Sequence, residues 1–335
     1  MMRAATPLSR RRALSIIAGA GALLLPRCGR AAAPRLFEWR GTALGAAAHL
    51  ALYHRDEAAA AAAVGAAVDE VERLEGEFSL YRPDSALARL NREGVLDQPS
   101  LDMLRLLRES VRLGALSGGA FDVTVQPLWE LYAGHFAAQP DGSRGPSAAA
   151  LLRACRRVDF RRIAIAPERI TLAPGMAVTL NGIAQGYITD RIAELLQDRG
   201  WTDVLIDLGE LRGLGGHPDS RPWTIGLADP RRAAAVVATI PLGRRAAATS
   251  AGSGTTFDPS GRYHHLFVPQ TGRCGGTYAA VTVVTDQAMV ADALSTALAV
   301  MPRERAPALL RHFPGIEVWV VESGGRLRRL DPAPA

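Results

Sequence analysis

The stretch TLNGIAQGYITDR, Thr179 to Arg191, joins a turn of small residues to the start of an amphipathic helix. Its first part, NGIAQG, leaves backbone N–H groups and a helix N-terminus free to face an anion such as a phosphate. A second stretch, ADALST, places Asp292 and Thr296 four residues apart, on one face of an expected helix. A carboxylate and a hydroxyl are oxygen ligands that suit a divalent cation. Together the two stretches predict phosphoryl chemistry on a nucleotide.

The N-terminal residues 1–33 are expected to be an export signal. Arg10, Arg11 and Arg12 precede an apolar run from Ala13 to Leu25, and small residues follow at 31–33. This order is typical of a signal peptide, and the paired arginines favour the twin-arginine route to the periplasm. The run is too short for a membrane-spanning helix, which needs about 20 apolar residues.

Charge and composition narrow the classes of function. The whole chain has a formal net charge of +6, but residues 1–33 hold six arginines and no acidic residue. The rest therefore balances 33 basic against 33 acidic residues, which removes the argument for nucleic acid or an anionic membrane as partner. The chain contains no lysine, so Schiff-base and lysine–phosphate chemistry are excluded.

Hydrophobic periodicity predicts a mixed α/β (α+β) domain. Helices are expected over Asp56–Phe78, Ser100–Leu116, Tyr187–Arg199 and Met289–Met301. Strands are expected over Phe37–Tyr53 (one or two), Asp203–Leu208, Trp223–Leu227, Ala279–Thr285 and Ile316–Val321, with a turn over Gly213–Asp219. These elements alternate without a regular βαβ period, which argues against a doubly wound sheet. Residues 36–330 are expected to form one large domain with two intimate subdomains.

Three further polar segments are candidates for the site. Tyr81 could stack on a planar ring, although its segment also reads as an ordinary turn after a helix. Asp122, after Gly118-Gly119, could accept a hydrogen bond from a ribose or a base, or could simply form an Asx turn. His264 and His265 would point to opposite faces of a strand, so a single histidine acting as a base or orienting a phosphate is favoured over a zinc site.

Five stretches in this order resemble the ApbE family of FAD:protein FMN transferases. They are FSLYRPDSALARLN, SGGAFDVTVQPLWELY, TLNGIAQGYITDR, HHLFVPQTG and VTVVTDQAMVADALSTAL, and they span the chain from about residue 40 to about residue 320. The resemblance implies an ApbE-like flavin transferase fold. It also implies an enzyme that uses Mg²⁺ to cut the FAD pyrophosphate, passes FMN to a threonine of an acceptor protein and releases AMP.

The resemblance also assigns roles to residues. It implies that Gly182 offers a backbone carbonyl to the metal, and that Asp292, Ser295 and Thr296 lie around the same ion. It implies a histidine near the phosphates at His265, which is the candidate base for the acceptor threonine. The positions that it implies for FAD are Leu44, Tyr81, Ala120, Phe121, Asp122, Thr179, Gln185 and Phe267.

Three positions depart from the family pattern, and two other functions stay open beside the transferase. Thr179 stands where the family commonly has aspartate, Gln185 where it has an acid or a lysine, and Val268 where it has aspartate. The alternatives are an FAD pyrophosphatase, in which water replaces the threonine, and a periplasmic flavin-binding protein without turnover. For the transferase, the resemblance implies acceptors that are subunits of membrane electron-transfer complexes.

Overall fold

The computed structural model describes residues 33–43, 45–139, 144–232 and 235–332. The expected export signal, apart from Ala33, lies outside these residues, and so does Leu44. Within the described ranges, no helix has the length and apolar character needed to cross a bilayer.

The described chain contains three antiparallel sheets and eight α-helices. The strands are β1 (Arg35–Ala43), β2 (Ala46–His54), β3 (Val95–Asp97), β4 (Ile163–Ala166), β5 (Arg169–Leu172), β6 (Val204–Asp207), β7 (Leu211–Leu214), β8 (Thr224–Ala228), β9 (Val236–Pro241), β10 (Ala246–Ala251), β11 (Ala280–Thr285), β12 (Glu317–Val321) and β13 (Leu327–Leu330). The helices are α1 (Glu57–Phe78), α2 (Ala86–Glu93), α3 (Leu101–Leu116), α4 (Gln126–Ala138), α5 (Ala148–Cys155), α6 (Ala184–Asp198), α7 (Ala288–Val300) and α8 (Ala306–Leu310). Short 3₁₀ turns lie at Phe160–Arg162, Gly252–Gly254 and Arg303–Arg305.

The largest sheet has eight strands in the order β1-β2-β6-β7-β10-β11-β12-β13. Smaller sheets pair β3, β5 and β4, and β8 with β9. The sequence therefore predicted the class correctly: the fold is mixed α/β with antiparallel sheets and no doubly wound core.

Two of the four predicted helices begin at capping side chains. Asp56 accepts hydrogen bonds from the N–H groups of Ala58 and Ala59 at the start of α1, and Ser100 accepts from Met103 at the start of α3. Helix α6 begins at Ala184, so the second half of the glycine-bearing turn is already helical.

One predicted turn is partly wrong. Residues Gly213 and Leu214, expected in a turn, end strand β7. A Cβ atom on Gly213 would lie 2.0 Å from the carbonyl oxygen of Gly243, so glycine here allows a strand to pass close to another backbone segment. Helix α4 was not predicted, because its apolar residues follow no clear helical stripe and its start carries no side-chain cap.

Helix α7 lies in the core. It packs against β10, β11 and α6, and most of its residues are buried. An isolated Asp292 on such a helix is buried with its apolar neighbours and is only 4% exposed. The fold therefore takes a charged side chain into the interior, where a compensating partner is needed.

Candidate active site

A cavity of about 350 Å³ opens between α6, α7, the end of β10 and the loop after it. It contains most of the residues that the sequence singled out. These are Tyr81, Ala120, Phe121, Asp122, Thr179, Gly182, Gln185, His265, Phe267, Asp292 and Thr296. Residues far apart in the chain are thus gathered around one space.

The two decisive stretches touch each other at this cavity. The backbone N–H of Gly186 donates a hydrogen bond to Oδ2 of Asp292 at 3.2 Å. A Cβ atom on Gly182 would lie 3.0 Å from Oγ1 of Thr296, so that hydroxyl lies against the turn. A Cβ atom on Gly186 would lie 2.4 Å from the carbonyl oxygen of Ala288. Glycine therefore lets α6 and α7 approach closely enough to join the turn and the carboxylate.

The start of α7 is held by a side chain of α6. Oδ1 of Asp190 accepts from the N–H of Ala288, and Oδ2 accepts from the N–H of Met289, both at 2.9 Å. Helix α7 has no side-chain cap of its own. Asp190 therefore caps α7 from a neighbouring helix and fixes the helix that carries Asp292.

Asp292 has an acidic neighbour, Glu210, in the turn between β6 and β7. Burial raises the pKa of Asp292 above its ordinary value, and the Gly186 N–H offsets part of this. Burial also raises the pKa of Glu210, and the charges of Asp292 and Asp207 raise it further. Among the described residues, neither Glu210 nor Asp292 forms an ion pair with an arginine or a histidine.

His265 also lines the cavity, from the loop between β10 and β11. Its Nδ1 is 3.1 Å from the carbonyl oxygen of Thr255, which fixes Nδ1 as the protonated nitrogen and leaves Nε2 as an acceptor. Burial lowers the pKa of His265, and the Thr255 carbonyl offsets part of this. The ring is therefore neutral at neutral pH, the state in which it can take up a proton.

Asp122 shapes the cavity wall through contacts within the protein. Its Oδ1 accepts from the N–H and the hydroxyl of Thr124, at 2.8 and 2.6 Å, and its Oδ2 accepts from the Phe160 N–H at 3.2 Å. The N–H of Thr179 donates to the carbonyl of Val123 at 2.8 Å and ties this segment to the glycine-bearing turn. The Asx turn considered from sequence is therefore present, and Asp122 also lines the cavity.

Ser295 does not line the cavity. It is 1% exposed, its hydroxyl lies 2.9 Å from the carbonyl of Asp292, and its Oγ is 2.7 Å from Oγ of Ser250. The position of Ser295 therefore gives no support to its expected role as a metal ligand. Ser250 is also 3.3 Å from Oγ1 of Thr296, so β10 supports the hydroxyl side of the site.

The sequence did not single out Glu210, Ser250 or Trp129 as site residues, yet all three line the cavity. Trp129 lies on helix α4, which was not predicted. Glu210 lies in the tight turn of the β6–β7 hairpin, and Ser250 lies in β10, which pairs with β7 and β11. The Leu208-Gly209-Glu210 turn, which follows a buried strand, was the feature of the sequence that could have pointed to Glu210. Outside the site, Cys155 and Cys274 are free thiols.

A cavity with a helix start, buried carboxyl groups and aligned hydroxyls is typical of an enzyme that acts on a phosphorylated ligand. Comparison with known proteins specifies the family: residues 44–320 match the ApbE family, and the chain belongs to it.

An FAD:protein FMN transferase of Vibrio cholerae is 32% identical over 254 residues, which cover 71% of this chain and 73% of that protein. An FAD:protein FMN transferase of Treponema pallidum is 30% identical over 327 residues, which cover 90% and 88%. The solved structure of the flavin transferase ApbE from Vibrio cholerae has a TM-score of 0.76 and 26% identity, and covers 90% of this chain and 98% of that one. The expected family and the ApbE-like fold are confirmed.

Proposed function

We propose that this protein is an FAD:protein FMN transferase that requires Mg²⁺, transfers FMN from FAD to a threonine of an acceptor protein and releases AMP. The names of its relatives support flavin transfer. The observation that carries the finer proposal is the contact between the two decisive stretches, where Asp292 accepts from Gly186 inside the cavity.

The residues around Asp292 fit a divalent cation. The carboxylate of Asp292, the hydroxyl of Thr296 and the backbone carbonyl of Gly182 would hold Mg²⁺, which prefers oxygen ligands. Asp292 is buried and forms no ion pair with a cationic side chain among the described residues, so a bound cation would stabilise its ionised form. Bound there, Mg²⁺ would neutralise charge on the FAD pyrophosphate.

The protein's own groups then account for the transfer. Nε2 of His265 accepts the proton of the acceptor hydroxyl. The threonine oxygen forms a bond to the phosphorus of the FMN half, and the bond from that phosphorus to the bridging oxygen breaks. AMP leaves with the bridging oxygen, and FMN remains as a phosphoester on the threonine. The N-terminal end of α6 reaches the cavity at Gln185, and its positive dipole end would favour the phosphates.

The remaining cavity residues bind the flavin nucleotide in this proposal. Tyr81, Phe121 and Phe267 provide aromatic surface, and Trp129 extends it. Thr179 and Gln185 supply polar groups near the turn. Leu44 retains its expected role in FAD binding as a prediction, because it lies outside the described residues.

The acceptor and the location are proposed from sequence. The twin-arginine pattern of residues 1–33 supports a periplasmic enzyme. Within that compartment, the acceptors proposed are threonine-bearing subunits of membrane electron-transfer complexes.

Incubation with FAD, Mg²⁺ and a threonine-bearing acceptor tests the function directly. The proposal predicts fluorescent flavin on the acceptor band in a denaturing gel, together with AMP. An acceptor with the threonine changed to alanine should stay unlabelled. Free FMN and AMP without labelling would instead support an FAD pyrophosphatase, and unchanged FAD would support a flavin-binding protein.

A further inference from the structure

The turn between β6 and β7 brings a second carboxylate, that of Glu210, to the cavity. Gly209 has φ +99°, a conformation that favours glycine, and a Cβ atom there would lie 2.5 Å from Nε2 of Gln185. The hydroxyl of Thr189 donates to the carbonyl of Gln185 at 2.8 Å and lies 3.4 Å from the carbonyl of Glu210. Helix α6 therefore fixes this turn beside its own first residues.

The Glu210 side chain is buried and incompletely satisfied. It is 7% exposed, and it lines the same cavity as Asp292 and Thr296. Its Oε2 atom is buried and has no hydrogen-bond partner among the described residues. An unpaired carboxylate oxygen in the interior is costly, because the protein must replace the water that the charge has lost.

Glu210 and Asp292 line the same cavity, and the charge of Asp292 raises the pKa of Glu210. Arg212, two residues further on in β7, forms an ion pair with Asp190 at 3.6 Å. Two buried acidic groups that share a cavity and lack a cationic side chain are arranged for a bound positive ion.

Two carboxylate ligands would suit Mg²⁺ better than a metal that the protein surrounds completely with its own side chains. The described residues contain no group of three or more His, Cys, Asp or Glu side chains that could hold a metal. Mg²⁺ commonly binds through one or two carboxylates and completes its shell with water and substrate phosphates. A pair formed by Glu210 and Asp292 meets that requirement.

We propose that Glu210 is the second carboxylate of the cation site, and that with Asp292 it lets the protein bind the divalent ion before FAD arrives. This inference rests on the proposed function in its assignment of Asp292 to the metal. It adds a ligand from the β6–β7 turn to those proposed above, which are Gly182 just before α6 and Asp292 and Thr296 on α7.

Mn²⁺ binding to the purified protein, freed of nucleotide and metal, tests the inference by calorimetry. The wild-type protein should bind Mn²⁺ without FAD, and E210Q should weaken binding by about tenfold or more, within the range seen when groups supporting a metal are removed. D292N should weaken it at least as much. D198N is the control, because Asp198 is exposed at the end of α6 and does not line the cavity; it should bind within about twofold of wild type.

Thermal melting gives an independent readout. Without metal, E210Q should melt no lower than wild type, because the amide removes a buried unpaired charge. It should also lose most of the rise in Tm that Mn²⁺ gives the wild type. An E210Q protein that binds Mn²⁺ like wild type, or that fails to fold, overturns the inference. So does a wild-type protein that binds no Mn²⁺ without FAD.

These outcomes are separate from the proposed function. FMN transfer to an acceptor by the wild-type protein is measured with FAD and Mg²⁺ present. A wild-type protein that labels the acceptor while E210Q keeps full Mn²⁺ affinity would overturn only the role of Glu210.

Discussion

The backbone N–H of Gly186 donates to the Asp292 carboxylate, and this bond joins the two stretches on which the proposed function depends. The residues are 106 positions apart in the chain. The bond is possible because Gly186 has no Cβ, so its backbone can lie against the first turn of α7. The glycine is therefore a structural requirement of the site and not only a feature of a flexible turn.

Replacing Gly186 by alanine should separate α6 from α7. The added Cβ would lie 2.4 Å from the Ala288 carbonyl oxygen. This oxygen belongs to helix backbone, so it cannot rotate away as a side chain could. We expect the free energy of unfolding to fall by about 1–3 kcal/mol, as for overpacked cores, and flavin transfer to be lost. Urea denaturation and the gel assay measure the two effects.

Gly134→Ala is the matched control for this change. Gly134 is exposed on α4, and a Cβ there would meet nothing within 4 Å. It should leave transfer unchanged and stabilise the protein by about 0.5–1 kcal/mol, the usual gain for alanine over glycine in a helix. Equal behaviour of the two variants would contradict the proposed close approach of α6 and α7.

Asp292→Ala should abolish turnover while the fold remains intact. The carboxylate is assigned to the cation, and its removal also takes away a buried charge that has no cationic partner among the described residues. Transfer rates and circular dichroism test the two halves of this expectation. Asp286→Ala, an exposed change just before α7, should transfer FMN normally. Near-normal transfer by Asp292→Ala would remove the metal assignment.

The transfer rate should depend on pH through His265. A protonated ring cannot accept the acceptor's proton, so the rate falls as pH drops through the pKa of His265. Burial lowers that pKa from 6.5, so at saturating Mg²⁺ the midpoint of the rising limb should lie below pH 6.5. His265→Ala should lose about 100-fold or more in rate, whereas exposed His312→Ala should not change it. A midpoint above neutral pH, or a fully active His265→Ala protein, would argue against His265 as the base.

Asp190→Ala should lower the free energy of unfolding and loosen the start of α7, although it removes no side chain that lines the cavity. Burial raises the pKa of Asp190 to about 6, so its carboxylate is ionised at pH 8, where it accepts from both Ala288 and Met289. Losing this cap should cost about 2 kcal/mol of unfolding free energy. Asp198→Ala, exposed at the end of the same helix, is the control and should cost little. Equal stability of the two variants would show that the cap is not needed.

The sequence predicted those parts of the site that depend on local spacing. Asp292 and Thr296 share a helix face, and strand alternation favoured one histidine over a zinc pair. In the structure His265 lines the cavity, whereas His264 accepts the Leu266 N–H through Nδ1. Glu210, Ser250 and the cap formed by Asp190 could not be predicted in this way. Each meets a partner from an element far apart in the chain, as Glu210 does in sharing the cavity with Asp292, and such contacts are set by sheet and helix packing that no local pattern encodes.

A crystal structure with FAD and Mn²⁺ would test the central claim most directly, because the anomalous signal of Mn²⁺ locates the cation. The account predicts one ion in contact with the Asp292 carboxylate and the Thr296 hydroxyl, beside Gly182 and against the pyrophosphate of FAD. An ion bound elsewhere, with the pyrophosphate away from α7, would contradict it.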